Sequence, residues 1–115
     1  MQNVFVGTDL KLSINATIQD GIHLSNCEFC IYAYCNNVNR NYEIHKDECS
    51  PIYSDDNKEY TDSYVFIIDT NNIGTGNLKL KIVIEVPDTD FSESDGFTRT
   101  EVIIYTTDIQ IVKAQ

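Results

Sequence analysis

The chain has 115 residues, a length that suits one domain with a single hydrophobic core, and we expect one domain over residues 1–115. Its 18 acidic and 8 basic residues give a formal net charge of −10. Because such a charge repels phosphate backbones and anionic lipids, we expect no nucleic-acid or membrane partner. Residues 1–12 show neither a signal peptide nor a membrane span, so we expect synthesis in the cytoplasm.

The first half of the chain alternates between apolar and polar residues, which predicts strands with one buried face. Residues Asn3–Val6 are predicted to form a short edge strand or an arm. A second strand is predicted over Leu10–Ala16. Asp20–Gly21 is a turn signal, because glycine accepts a positive φ without steric cost. The segment Cys27–Cys35 is predicted to form a strand covered on both faces, and Val38–Lys46 its hairpin partner.

The second half contains the strongest pattern, at Asn77–Val86. Its even-numbered positions are all apolar, and its odd-numbered positions are mostly polar. The apolar residues are Leu78, Leu80, Ile82, Ile84 and Val86. Five apolar residues on one side of a strand require a second apolar surface opposite them, which predicts two packed layers.

Further strands complete the pattern. A polar loop over Asp47–Lys58 carries a candidate short strand at Ile52–Tyr53, and Tyr60–Ile68 alternates again. The last strands are predicted at Thr98–Thr107 and Ile109–Val112. Seven or eight strands with no helix predict an all-β fold, an immunoglobulin-like antiparallel β-sandwich.

Two sets of residues could bind metal ions. Thiolates and imidazole are the usual zinc ligands, and the chain offers Cys27, Cys30, Cys35, His45 and Cys49. In a strand, however, residues three apart point to opposite faces, so Cys27 and Cys30 should diverge, and buried free thiols are the favoured interpretation.

The second set is the acidic loop after the central strand, where the carboxylates could bind calcium: Asp88, Asp90, Glu93 and Asp95. Their spacing does not follow the EF-hand order, and a solvated loop is the alternative. No cofactor is expected.

Catalysis and sugar binding have weaker signals. A nucleophile needs an activating base, and the imidazoles available are His23 and His45. No nucleophile elbow, phosphate loop or zinc-protease motif is present, so we expect no enzymatic activity. The seven tyrosines could stack on sugars if several share one exposed surface, although aromatic residues are also common in strands.

Nearly the whole chain resembles small immunoglobulin-like β-sandwich structural proteins of tailed bacteriophages. The resemblance is carried by the segments GTDLKLSINATIQDGIHLSNCEFCIYAY and FIIDTNNIGTGNLKLKIVIEVPDTDFSESDGFTRTEVIIYTTDIQIV. The chain is similar in layout to N-terminal domains of baseplate upper proteins and to short virion proteins of crAss-like and other Bacteroides phages. The shared features are Asp20–Gly21, Gly74 and Gly76 before the central strand, and Pro87, Asp88, Asp90, Phe91, Asp95, Gly96 and Arg99 after it.

The resemblance implies a non-enzymatic virion component, made in the host cytoplasm and present in many copies beside capsid, neck or fibre proteins. Ending at Gln115 without a coiled coil or a receptor-binding domain, the chain is expected to be an adaptor or a capsid-decorating subunit. Strand edges can pair with a neighbour's sheet, and the partner-binding residues are predicted at the terminal segments: Val4, Phe5, Val6, Ile109, Ile111 and Val112. The alternative is a carbohydrate-binding or adhesin-type module.

Overall fold

A computed structural model describes residues 2–87 and 98–113, which form eight β-strands and three short 3-10 helices. The strands are β1 Gln2–Phe5, β2 Asp9–Asn15, β3 Glu28–Tyr34, β4 Asn41–His45, β5 Ser50–Pro51, β6 Ser63–Asp69, β7 Gly76–Pro87 and β8 Thr98–Val112. The 3-10 helices are Gln19–Gly21, Leu24–Asn26 and Lys46–Glu48. Within these residues there is no helix with the length and apolar character needed to cross a membrane.

The strands form two sheets that pack as a sandwich. One sheet has five strands in the order β1-β8-β7-β3-β4, and the other has three in the order β2-β6-β5. The predicted all-β sandwich is therefore confirmed. This arrangement of two packed sheets is consistent with an immunoglobulin-like fold.

The core is built around β7, as its alternating sequence predicts. The five apolar residues of its inner face are at most 3 % exposed. They lie between β3 and β8, where Ile82 is paired with Ile31 on one side and Ile103 on the other. Against them pack the inner residues of β6, among them Phe66 and Ile68. Burial of these side chains is the main stabilising term of the fold.

Two contacts hold the sheets in register with each other. The rings of Phe29 on β3 and Tyr64 on β6 meet edge to face, with their centroids 4.9 Å apart. In the second contact, the Tyr105 hydroxyl donates a hydrogen bond to the carbonyl oxygen of Asn15 at 2.9 Å. Edge-to-face aromatic pairs and hydrogen-bonded tyrosines fix relative orientation in addition to burying area.

The pairing of the N-terminal strand differs from the antiparallel prediction. Strand β1 runs parallel to the end of β8, with Val4 opposite Ile111, whereas the other ladders are antiparallel. The chain then crosses to the second sheet at Gly7, whose φ of 98° falls in the left-handed region. This crossover is held by Thr70, whose hydroxyl accepts a hydrogen bond from the Gly7 N–H and donates one to the Thr8 carbonyl.

The last two predicted strands are one continuous strand. Strand β8 runs for 15 residues, and the predicted interruption coincides with a bulge where the register with β7 shifts between Asn77 and Lys79. The Asn77 side-chain amide donates to the carbonyl oxygens of Thr107 and Ile109, at 2.9 and 3.1 Å. Because these bonds replace missing ladder bonds, the strand continues through its irregularity.

Two local predictions were wrong. The short strand of the polar loop is Ser50–Pro51 rather than Ile52–Tyr53, because it is Ser50 that pairs with Val65 of β6. Strand β3 is not covered on both faces: its inner residues are buried, but Cys30 and Tyr32 on the outer face are only half-buried. The apolar character of its outer face does not reflect core packing.

Three of the four cysteines are buried free thiols, as the sequence favoured: Cys27, Cys35 and Cys49. Burial raises the pKa of Cys49 from 9.0 to about 11, and the same cause raises the pKa of Cys27 and Cys35. Buried thiols of this kind behave as small apolar side chains.

Because burial raises the pKa of these thiols, we expect the folded chain to lose stability at alkaline pH. Well below pH 9.0 the Cys49 thiol is protonated in both states, but between pH 9.0 and about 11 the thiol is mostly ionised only in the unfolded chain, which favours unfolding. We expect the melting temperature to be constant from pH 7 to 8 and to fall from pH 9 to 11. Calorimetry of the chain and of Cys49→Ala tests this, since the variant should show a shallower fall. Equal slopes would exclude Cys49 as a cause.

Candidate functional site

Of the two terminal segments predicted to be free edges, the C-terminal one is covered by the N-terminal one. Because β1 pairs with the end of β8, residues Ile109–Val112 have a neighbouring strand on both sides. Val4 and Ile111 are buried, at 8 % and 0 % exposure, and Val6 and Ile109 pack against the core. Of the six predicted partner-binding residues, Phe5 is strongly exposed and Val112 is half-buried. The end of β8 is therefore not a free edge, because β1 covers it, whereas β1 is itself the outermost strand of the sheet. Partner binding at the N-terminal segment stays a prediction.

The remaining length of β8 has an open edge in the part of the chain that the structure describes. Residues 98–106 pair with β7 on one side, whereas β1 reaches only Ile109–Val112 on the other. Within this stretch Val102 and Ile104 are 52 % and 58 % exposed. A long strand edge with exposed apolar side chains favours pairing with another chain.

The exposed residues of β8 belong to a larger apolar area on the outer face of the five-stranded sheet. Register places Val102 beside Val83 of β7, and Val83 beside Cys30 of β3. The next row joins Ile104, Lys81 and Tyr32. We call Cys30, Tyr32, Val83, Val102 and Ile104 the outer apolar patch. A solvated sheet face normally carries polar residues, so this patch is a candidate protein-binding surface.

Strand β1, the outermost strand of the five-stranded sheet, exposes Phe5 but is only four residues long. The remaining sheet edges in the described residues are short or polar. Strand β5 has only two residues and ends at Pro51, which cannot donate a ladder hydrogen bond. Strand β4 is five residues long and exposes Glu43 and His45. The exposed positions of β2 are polar or charged, for example Lys11 and Ser13. Short, charged or proline-containing edges are those that proteins protect from pairing.

The predicted zinc ligands separate onto different surfaces. Cys27 is buried and its thiol donates to the backbone carbonyl of His23, whereas Cys30 lies on the outer face. Cys35 and Cys49 are buried as well, so the full set of four thiolates and one imidazole does not converge.

Two members of that set do meet. Cys30 lies directly opposite His45 in the β3–β4 ladder, and Glu43 projects from the same face two residues before His45. Their ligand atoms lie within 4.8 Å of one another. Sequence reasoning missed Glu43, because its approach to Cys30 depends on the hairpin register rather than on any spacing motif.

The tyrosines do not form one platform. Tyr64 and Tyr34 are buried, Tyr105 is hydrogen-bonded to β2, and Tyr32 lies on the outer face. Only Tyr53 and Tyr60 are strongly exposed, and both line a shallow hollow of about 360 Å³. A sugar-binding surface would therefore be confined to two rings.

That hollow also contains one of the two imidazoles. His23 stacks on Tyr60 with the ring centroids 3.8 Å apart, and its Nδ1 lies 3.2 Å from an Asp62 carboxylate oxygen. The same oxygen, Oδ1 of Asp62, also accepts a hydrogen bond from the backbone N–H of Leu24 at 3.0 Å. These contacts orient the imidazole and secure the 3-10 helix that begins at Leu24.

His45 lines a hollow of about 670 Å³, together with Cys49 and Tyr64. Within residues 2–87 and 98–113 neither imidazole is hydrogen-bonded to a hydroxyl or a thiol, which an activated nucleophile requires. The Cys49 thiol donates to the His45 backbone carbonyl, and its raised pKa keeps it protonated at neutral pH.

The candidate calcium ligands Asp88, Asp90, Glu93 and Asp95 lie outside the described residues, and the calcium hypothesis stays a prediction. Comparison of the chain with protein-family models, with curated proteins and with solved structures finds no match. The outer apolar patch and the open edge of β8 are therefore the surfaces on which a functional hypothesis can be based.

Proposed function

We propose that this chain is a non-enzymatic structural subunit that binds other proteins through β8 and the outer apolar patch. The observation that carries the proposal is the open edge of residues 100–106, which exposes Val102 and Ile104 within the described part of the chain. Such an edge can add a partner's strand by backbone hydrogen bonds, while the apolar side chains select what packs on the face.

The assembly we propose is the virion of a tailed phage, with capsid, neck or fibre proteins as partners. Its support is the resemblance of the sequence to small phage β-sandwich proteins, together with the sandwich fold that the resemblance implied. The net charge of −10 is compatible with a subunit present in many copies, because like charges oppose non-specific association.

A carbohydrate-binding module is the alternative function. It requires exposed aromatic rings beside hydrogen-bonding groups, and the hollow at Tyr53 and Tyr60 provides two. The outer apolar patch favours the protein-binding proposal, because its exposed side chains are aliphatic and lie along an open strand edge.

A charge on the exposed edge should weaken partner binding without unfolding the chain. We expect Ile104→Glu to weaken binding at least tenfold, since a central apolar contact contributes about 2 kcal/mol or more. The measurement is light scattering with size-exclusion chromatography, after co-expression with each protein encoded by the adjacent reading frames. The matched control is Ser13→Glu, on an exposed position of the other sheet.

Two results would contradict the proposal. One is a stable monomer that binds none of the neighbouring structural proteins. The other is a complex equally weakened by Ile104→Glu and Ser13→Glu, which would exclude β8 as the contact surface. Binding to soluble glycans that is lost in Tyr60→Ala would instead favour the carbohydrate-binding alternative.

A further inference from the structure

The geometry points to a surface zinc site formed by Cys30, Glu43 and His45, and we propose that the chain binds one Zn²⁺ there. The inference does not rest on the proposed function. Thiolate, carboxylate and imidazole are all zinc ligands, and three protein ligands with a fourth position open to water are a common arrangement. The three residues come from the β3–β4 hairpin.

The hairpin register brings the three side chains to the same face. Cys30 and His45 are directly opposite each other, and side chains in that relation have their Cβ atoms about 4.5–5.5 Å apart. Glu43 precedes His45 by two residues, so the pleat turns it to the same side. The site is therefore positioned by backbone pairing rather than by a flexible loop.

The distances match those of a tetrahedral zinc site. The Cys30 Sγ and Glu43 Oε1 atoms are 3.4 Å apart, and His45 Nε2 lies 3.4 Å from the same oxygen. Zn–S bonds of about 2.3 Å and Zn–N and Zn–O bonds of about 2.0–2.2 Å place tetrahedral ligand atoms roughly 3.3–3.6 Å apart. Two ligand pairs meet this requirement, and the third, Cys30 with His45, is within 4.8 Å.

The site is accessible to an ion from solution. The side chains of His45 and Glu43 are 59 % and 46 % exposed, and Cys30 is half-buried. Cys30 differs in this from the other three cysteines, which are buried among core residues. Zinc binding would displace the thiol proton and place the metal between the thiolate, the imidazole and the carboxylate.

Titration of the purified, reduced chain with Zn²⁺ alone tests the proposal. We expect one zinc per chain by isothermal calorimetry. With Co²⁺ as a spectroscopic substitute, we expect a thiolate-to-cobalt charge-transfer absorption, which an imidazole–carboxylate site cannot produce. Each of Cys30→Ser, Glu43→Gln and His45→Gln should weaken binding at least about tenfold, because loss of even a supporting residue has that effect.

The chain offers matched controls for each ligand. His23→Gln removes the other imidazole, and Glu28→Gln removes a carboxylate from the same strand as Cys30. Circular dichroism of each variant separates loss of a ligand from loss of the fold. Unchanged zinc affinity in Cys30→Ser, an equal loss in His23→Gln, or a cobalt complex without the charge-transfer band would each overturn the proposal.

Discussion

Replacing Ile82 with alanine should destabilise the chain by about 2–5 kcal/mol, a large part of the roughly 5–15 kcal/mol that stabilises a typical domain. Ile82 is fully buried in the central strand of the larger sheet. Its neighbours in register are Ile31 and Ile103, and both strands are held by their own ladders. Because the surrounding backbone cannot collapse, truncation leaves a cavity as well as losing apolar burial.

Urea unfolding followed by circular dichroism measures this effect as a lower midpoint with an unchanged slope. Two variants provide the controls. Ile82→Val removes one methylene group and should cost only about 0.5–1.5 kcal/mol. Lys81→Ala changes the adjacent residue on the outer face and should remain within about 0.5 kcal/mol of the parent chain. If Lys81→Ala destabilised the chain as much as Ile82→Ala, the assignment of the two faces of β7 would be incorrect.

The sequence predicted the fold well where a strand has one buried and one solvated face. In β7 the period of two is complete, and its inner residues Leu78 to Val86 are buried as predicted. The pattern was less informative in β3, whose outer residues Cys30 and Tyr32 resemble core residues in type although they are half-exposed. Alternation shows which side is apolar, but it cannot show whether an apolar outer face is covered.

Strand partners were harder to predict than strands. The parallel pairing of β1 with β8 joins residues more than one hundred positions apart, and no local pattern encodes it. The apolar residues of both termini were interpreted as surfaces for another protein, but Val4 and Ile111 are buried where β1 covers the end of β8. Which of the terminal apolar residues are exposed can be determined only once the order of the strands in the sheet is known.

The candidate surfaces were predictable in part. The apolar run Val102–Tyr105 is visible in the sequence and indicates that both faces of β8 are apolar, but it does not show which edge stays open. Cys30 and His45 were identified as metal-ligand types, whereas Glu43 was missed because carboxylates are abundant in this acidic chain. Among the described residues, the ladder register of the hairpin brings this carboxylate beside Cys30 and His45.

Replacing Thr70 with valine should destabilise the chain by about 1–3 kcal/mol, although the two side chains have nearly the same volume. Thr70 is fully buried. Its hydroxyl accepts the Gly7 N–H at 2.9 Å and donates to the Thr8 carbonyl oxygen at 2.7 Å. Valine fills the same space but leaves both backbone groups of the crossover without this partner, and such a loss costs more than the net value of a hydrogen bond.

The location of Thr70 should concentrate the loss of stability in the N-terminal strand β1. The crossover joins β1 to β2, and β1 is held to the rest of its sheet by four paired residues and by the bond from the Val6 N–H to the Val112 carbonyl. We therefore expect faster amide hydrogen exchange in β1 of Thr70→Val, with the protection of β7 reduced only by the global loss. Thr106→Val, at an exposed position of β8, is the matched control and should change stability by less than about 0.5 kcal/mol. Uniform exchange in Thr70→Val, or an equal loss of stability in both variants, would show that the Thr70 hydroxyl does not anchor the N-terminal strand.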